Sequence, residues 1–260
     1  MTSAKAARKS DLPVRAAAGV AMIAIAVAAI YFGGWPFRIL VGVAAALMLV
    51  EWADMHKVRR NWALAGVALL AFNLWLLPDL LPGQIWYGFA AAIALGLLVG
   101  LLSRSARLGG GYLYVAIPSF ALLVLNGLSW EAVLWAMVVT WSTDIFAYFA
   151  GRSIGGPKLA PNISPNKTWA GLIGGMAGAA VLGFVTARMF DLDAPFLYVG
   201  ALMGLLAQIG DLYESSVKRR AGVKDSGTIL PGHGGVLDRL DGLLPVVVAT
   251  LILILASSAA

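Results

Sequence analysis

Nine apolar runs, separated by short polar connections, constrain this chain more than any other feature. They are Val14–Phe32, Pro36–Val50, Trp62–Leu77, Ile85–Leu102, Tyr112–Leu125, Trp130–Ala150, Trp169–Met189, Pro195–Leu212 and Leu243–Ala256. A bilayer-crossing helix needs about 17–25 mostly apolar residues, so the second, fifth and ninth runs are short and their ends are the loosest. Only 12% of the 260 residues are charged and 60% are hydrophobic, whereas a soluble domain carries about 25% charged residues. A mean hydropathy of +0.85 over the whole length therefore implies lipid contact and not one large dry core. The expected fold is an all-α polytopic membrane protein with about nine transmembrane helices. Met1–Pro13 is polar and basic ahead of the first run. That run exceeds the h-region of a signal peptide, about 7–15 residues, and reads as a retained first span.

Charge placement orients the spans. Cytoplasmic connections of membrane proteins are enriched in Lys and Arg. With a cytoplasmic N-terminus and nine alternating spans, the inside segments are 1–15, 51–61, 103–111, 151–168 and 213–242. All of the 19 basic residues except Arg38 and Arg188 then lie inside, and the C-terminus lies outside. The formal net charge of +6 is carried between apolar runs, which suits a membrane surface and not a nucleic acid. The absence of cysteine excludes disulfides, zinc-thiolate sites and a thiol nucleophile.

One membrane domain, 1–260, is expected, with scaffold spans over 1–128 and a catalytic half over 129–260. The latter contains two cytoplasmic loops, 151–168 and 213–242. Ionisable groups at membrane depth cost roughly 2.5–3.5 kcal/mol on insertion scales. Asp144 stands about two turns from the inner end of the sixth run, and Asp211 at the inner end of the eighth. Both point to a polar cavity on the cytoplasmic side. Asp211, Glu214, Ser215 and Lys218 are spaced i, i+3, i+4, i+7 and share one face of a continued helix. Carboxylates on such a face could hold a hard cation such as Mg²⁺ beside substrate phosphate; a solvated helix end would look almost the same.

The loop continues as KRRAGVKDSGTILPGHGGVLDRLDG, presenting Lys218, Arg219, Arg220 and Lys224, then Gly232, His233, Gly234 and Gly235, then Asp238, Arg239 and Asp241. Basic side chains and glycine-exposed N–H groups bind phosphate, and carboxylates hold metal. That combination is what phosphoryl or nucleotidyl transfer requires. The other loop, GRSIGGPKLAPNISPNKTWAG, ends with Lys167 and Thr168 before the seventh run, at a helix N-terminus that favours an anion. It lacks the glycine pattern of a Walker A loop, and nothing around it reads as a strand.

Ser215 to Asp241 resembles the signature of the phosphatidate cytidylyltransferases, or CDP-diacylglycerol synthases. The fixed positions are present as Ser215, Lys218, Arg219, Lys224, Asp225, Gly227, Leu230, Pro231, His233, Gly234, Gly235, Asp238, Arg239 and Asp241. D-x-x-A-Y-x-x-G-R at Asp144–Arg152 and S-P-x-K-T-W-x-G at Ser164–Gly171 are similar to the family too. The likeness covers roughly 130–245, and Ala170 departs from it where the family has an acid or amide. The resemblance implies a reaction of CTP with phosphatidate giving CDP-diacylglycerol and pyrophosphate, in a nine-span fold that is commonly a homodimer. It implies a divalent metal, Mg²⁺ with or without a second cation, held by Asp211 and Asp238. Lys218, Arg219, Lys224 and Asp241 join these two as the expected catalytic set. Asp144, Ser164, Lys167, Thr168, Ser215, His233, Gly234, Gly235 and Arg239 are the expected substrate contacts. The enzyme would lie in the inner (plasma) membrane, with its site facing the cytoplasm.

The residues suit that chemistry. A phosphomonoester with a second pKa near 6 is largely dianionic at pH 7, so no strong general base is needed in a chain poor in His. A transporter is the other class to weigh, since acids at membrane depth also mark transport sites. Both acids lie near one side, which argues against alternating access. A polyprenyl-transferring enzyme would carry paired D-x-x-x-D clusters, which are missing.

Overall fold

The computed structural model describes residues 19–81, 83–229 and 234–257. Among these, α1 (Gly19–Phe32) is followed by six helices long and apolar enough to cross a membrane. They are α2 (Gly34–Met55), α3 (Arg60–Leu80), α4 (Ile85–Leu102), α5 (Ala106–Leu128), α6 (Trp130–Ser153) and α7 (Trp169–Met189). The chain continues through α8 (Ala194–Tyr198), α9 (Gly200–Ala221), the single turn α10 (Leu237–Leu240) and α11 (Leu243–Ser257). The protein is an all-α polytopic membrane protein.

Helix ends differ from the apolar runs for local reasons. The second run grows to Gly34–Met55 and takes in Glu51, which is buried. The fifth begins at Ala106 because Ser105 caps it, its hydroxyl accepting from the Leu108 N–H at 3.2 Å. Arg107 and Gly109–Gly111 thus lie in a helix instead of a connection. The eighth run divides at Val199, and α9 runs on through Lys218 to end at Gly222, whose φ of 76° closes a helix readily. In α3, a wider π turn over Phe72–Leu76 lets the buried Asn73 side chain donate to the Gly88 carbonyl at 3.0 Å.

One expectation is corrected. The loop before α7 contains a short antiparallel hairpin, β1 (Lys158–Ala160) with β2 (Ser164–Thr168), pairing Lys158 with Thr168 and Ala160 with Ser164. Its Pro, Asn and Lys content is a poor strand signal, and the pairing is held by closure against α7, where the Trp169 N–H donates to the Pro157 carbonyl at 3.1 Å.

Arg38 near the start of α2 pairs with Asp79 at the end of α3 at 2.8 Å, opposite the 56–59 connection. The site is positioned by α7, which lies against α6 along a seam of glycines. A Cβ at Gly171 would stand 3.0 Å from the Ala147 carbonyl oxygen, and one at Gly175 would stand 2.9 Å from that of Thr143. Small residues at such spacing let helix backbones approach in a bilayer, and here they bring Asp144 on α6 beside the head of α7.

Candidate active site

At the head of α7, the buried Thr168 is the N-cap, its hydroxyl accepting from the Gly171 N–H at 3.0 Å. Lys167, one residue before the cap, reaches across to α9. There its ammonium lies 2.6 Å from Asp211 Oδ2 and 2.9 Å from Gln208 Oε1. Asp211 also accepts from Ser215, one turn on, at 3.2 Å. A cavity of about 530 Å³ opens over this group, lined by Asp144, Arg152, Asn166, Lys167, Gln208 and Asp211 among others. Small-molecule sites run to about 300–1,000 Å³. Asp144 lies within the field of Asp211, Lys167 and Arg239.

Asp241, in the turn between α10 and α11, lies in the field of Asp211 and Asp144. Its carboxylate accepts from the Gly242 N–H at 2.7 Å. Burial first, then the charges of Asp211 and Glu214, push its carboxyl well above the usual range. Gly210, preceding Asp211, makes room for this turn: a Cβ there would lie 2.5 Å from the Asp241 carbonyl oxygen.

A second polar knot adjoins the first. Lys218 bridges Glu214, at 2.5 Å, and Asp238, at 2.6 Å; the Glu214 side chain is fully buried and Lys218 nearly so. Asp238 also accepts from the Ser226 N–H and hydroxyl, each at 2.9 Å, and from the Gly235 N–H at 2.8 Å. Burial alone would raise its carboxyl, but the Lys218 ammonium and these N–H groups hold it below the ordinary value. Gly234 turns the loop here with φ 82°, a conformation suited to glycine.

Of the expected residues, Asp144, Lys167, Thr168 and Asp211 line one cavity, with Ser215 bound to Asp211, Asp241 in its field and Arg239 in that of Asp144. Lys218, Asp238 and Gly235 belong to the second knot, where the Gly235 N–H serves Asp238. Arg219 ties the two loops together, donating to the Ile163 carbonyl at 3.3 Å and the Val223 carbonyl at 3.1 Å. Lys224 is exposed, and Ser164 opens β2. His233, with Leu230 and Pro231 of the signature, lies outside the described residues.

Three participants escaped sequence reasoning. Gln208 precedes Asp211 by three residues and extends the α9 stripe, so that spacing could have found it. Glu51 follows an apolar run directly, a faint signal for an acid drawn inward. Tyr114 offered none: its buried hydroxyl has no hydrogen-bond partner among the described residues, and its ring stands 5.1 Å from that of Tyr213, facing the acids of α9.

Residues 13–257 match the family model described as the cytidylyltransferase family. The chain is 36% identical to a phosphatidate cytidylyltransferase of Brucella abortus biovar 1 (strain 9-941) over 244 residues, 90% of each chain. It is 34% identical to the enzyme of that name from Bacillus subtilis (strain 168), covering 90% of this chain and 94% of the relative. With the Pseudomonas aeruginosa PAO1 enzyme of the same name it shares 35% identity, over 83% and 87% of the two chains. A match over nearly the whole length has a direct meaning: this chain belongs to the cytidylyltransferase family.

Proposed function

We propose that the protein is a phosphatidate cytidylyltransferase, which transfers CMP from CTP to phosphatidate and releases pyrophosphate. The observation that carries this reading is the cavity in which Lys167, Arg152 and the acids Asp144 and Asp211 meet at one end of membrane helices. A nucleotide from water and a lipid headgroup from the interface could both reach it. The phosphate oxygen of phosphatidate attacks the α-phosphorus of CTP, and the bond to the bridging oxygen of the β-phosphate breaks. Bringing two anions together is the main barrier. Lys167 at the α7 N-terminus, with Arg219, Lys224 and Arg239, supplies positive charge for the phosphates.

The acids suit a hard cation, since they offer only oxygen. Mg²⁺, with or without a second cation, would neutralise phosphate charge. Asp211, whose oxygens meet Lys167 and Ser215, would serve as its ligand once Lys167 turns to a phosphate; no three acids among the described residues stand close enough to hold it together. Asp238, the other acid expected there, has its oxygens filled by Lys218, Ser226 and Gly235, and fits once Lys218 turns to a phosphate.

The full reading has nine spans, a cytoplasmic N-terminus, an outside C-terminus and a homodimer in the inner membrane, with CTP, phosphatidate and membrane lipid as partners and no nucleic acid. The basic residues and the Arg38–Asp79 pair support the alternation of sides. A reporter after Ala260 should read as outside and one near Arg59 as inside; agreement between them would refute the span count. For the activity, purified protein in detergent should release pyrophosphate from CTP only when phosphatidate is added. Release without the lipid, or none with it, would refute the assignment.

A further inference from the structure

Glu51 is 2% exposed near the end of α2, in the half of the chain furthest in sequence from the motifs. Three uncharged donors among the described residues meet its carboxylate. The Val236 N–H donates to Oε1 at 2.8 Å, the Leu237 N–H to Oε2 at 2.9 Å, and the Ser226 hydroxyl approaches Oε2 at 3.1 Å. These donors come from both arms of the signature loop, one before the turn and one after it. Ser226 touches Asp238 as well, so its single hydroxyl proton serves one carboxylate at a time. The second arm leads directly into α10, which carries Asp238 and Arg239.

Two signature glycines are explained by this contact. A Cβ on Gly227 would lie 2.8 Å from Glu51 Oε1, and one on Gly235 would lie 2.6 Å from Oε2 and run into the Ser226 hydroxyl. Both positions must be bare for the loop to close on the carboxylate. Beside it, Val236 and Leu237 are buried in one cluster with Leu49 and Trp52 of α2, which keeps water from competing for the three bonds.

We propose that Glu51 is a positioning residue for nucleotidyl transfer: it pins both arms of the 226–237 loop to α2, and so sets where Asp238 and Arg239 stand. The proposal rests on the functional reading above for the reaction, but the anchor itself does not. It acts through reach and not through charge, and that separates it from a metal ligand or an electrostatic role. Asp keeps the charge but is shorter by about 1.5 Å, one carbon–carbon bond, and cannot span to both arms. Gln keeps the reach and loses one accepting atom.

The test compares Glu51→Gln, Glu51→Asp and, as a control on the exposed side of the same helix, Asp54→Asn, all purified in detergent. Misplacement by about 1 Å can lower turnover about 100-fold. Glu51→Asp should therefore lose about that factor in kcat and Glu51→Gln about tenfold or less, with KM for CTP moving far less than kcat. Asp54→Asn should match wild type. Trypsin cleavage after the exposed Lys224 gives a readout independent of substrate, and it should speed up most in Glu51→Asp. If Glu51→Asp turns over as well as Glu51→Gln or better, charge and not reach is what matters, and the proposal fails. Unchanged cleavage would remove the anchor. Faster cleavage with wild-type kcat would leave the anchor standing but remove its part in the reaction. If no variant or wild type turns over phosphatidate and CTP, the functional reading is what has failed, and cleavage still judges the anchor. Should Glu51→Asp fail to fold, Glu51→Gln carries both readouts.

Discussion

Replacing Lys218 by Met should damage the fold more than any other single change in the signature. The Lys218 ammonium stands between Glu214 and Asp238, whose side chains are 0% and 9% exposed. Removing it leaves two carboxylates in a buried knot with no cation between them. Breaking a buried ion pair by deleting one partner costs about 3–5 kcal/mol, a large share of the roughly 5–15 kcal/mol that holds a domain together. Lys218→Met should therefore unfold at clearly lower SDS fraction in mixed micelles, followed by tryptophan fluorescence. Glu214→Gln in the same chain should restore much of the loss, because one buried charge is then gone. A double-mutant cycle should return a coupling of about 0.5–3 kcal/mol between the two positions. The double variant should stay inactive if Lys218 also meets substrate phosphate. A Lys218→Met protein within about 1 kcal/mol of wild type, well short of that range, would refute the reasoning, as would the absence of rescue by Glu214→Gln.

Three further outcomes are expected. Asp211→Asn and Asp238→Asn should each abolish turnover while the protein still inserts; retention of more than about a tenth of activity, roughly 1.4 kcal/mol of barrier or less, would remove that residue from the metal role. Lys167→Ala should lower kcat and not merely raise KM, because a charge aimed at the transition state is lost; Lys167→Arg should recover only part, since a planar fork does not replace a compact ammonium, and full recovery would refute this. Gly210→Ala should cost about 1–3 kcal/mol of stability, read in the same micelle titration, because its methyl meets the Asp241 carbonyl; a neutral change would mean that the turn can retreat.

The all-α membrane fold was legible because helices must satisfy their backbone internally within lipid, so apolar runs fold as helices, six of them among the described residues long and apolar enough to cross. The stripe Asp211, Glu214, Ser215 and Lys218 was legible for a related reason, since helical periodicity alone puts those residues on one face. Side-chain roles within the stripe were harder to read. Lys218, expected on phosphate, is held between two acids, because burial brings Asp238 onto it from twenty residues away. The hairpin at 158–168 was illegible because its pairing depends on docking at α7 and not on strand propensity. The grip of Glu51 on Val236, across 185 residues, leaves only the faint trace of an acid at the end of an apolar run.

The glycine seam between α6 and α7 makes the membrane interior a lever for its surface. Methyl groups added along it would press on main-chain carbonyl oxygens of Ala147 and Thr143, atoms that cannot rotate aside as a side chain can. The strain would be relieved by tilting one helix away from the other. Lys167, fixed just ahead of the first turn of α7, would swing with it, out of reach of the Asp211 carboxylate on α9. A change of one carbon along the seam would thus be felt as a misplaced charge at the mouth of the cavity, about one to two turns away along the same rod.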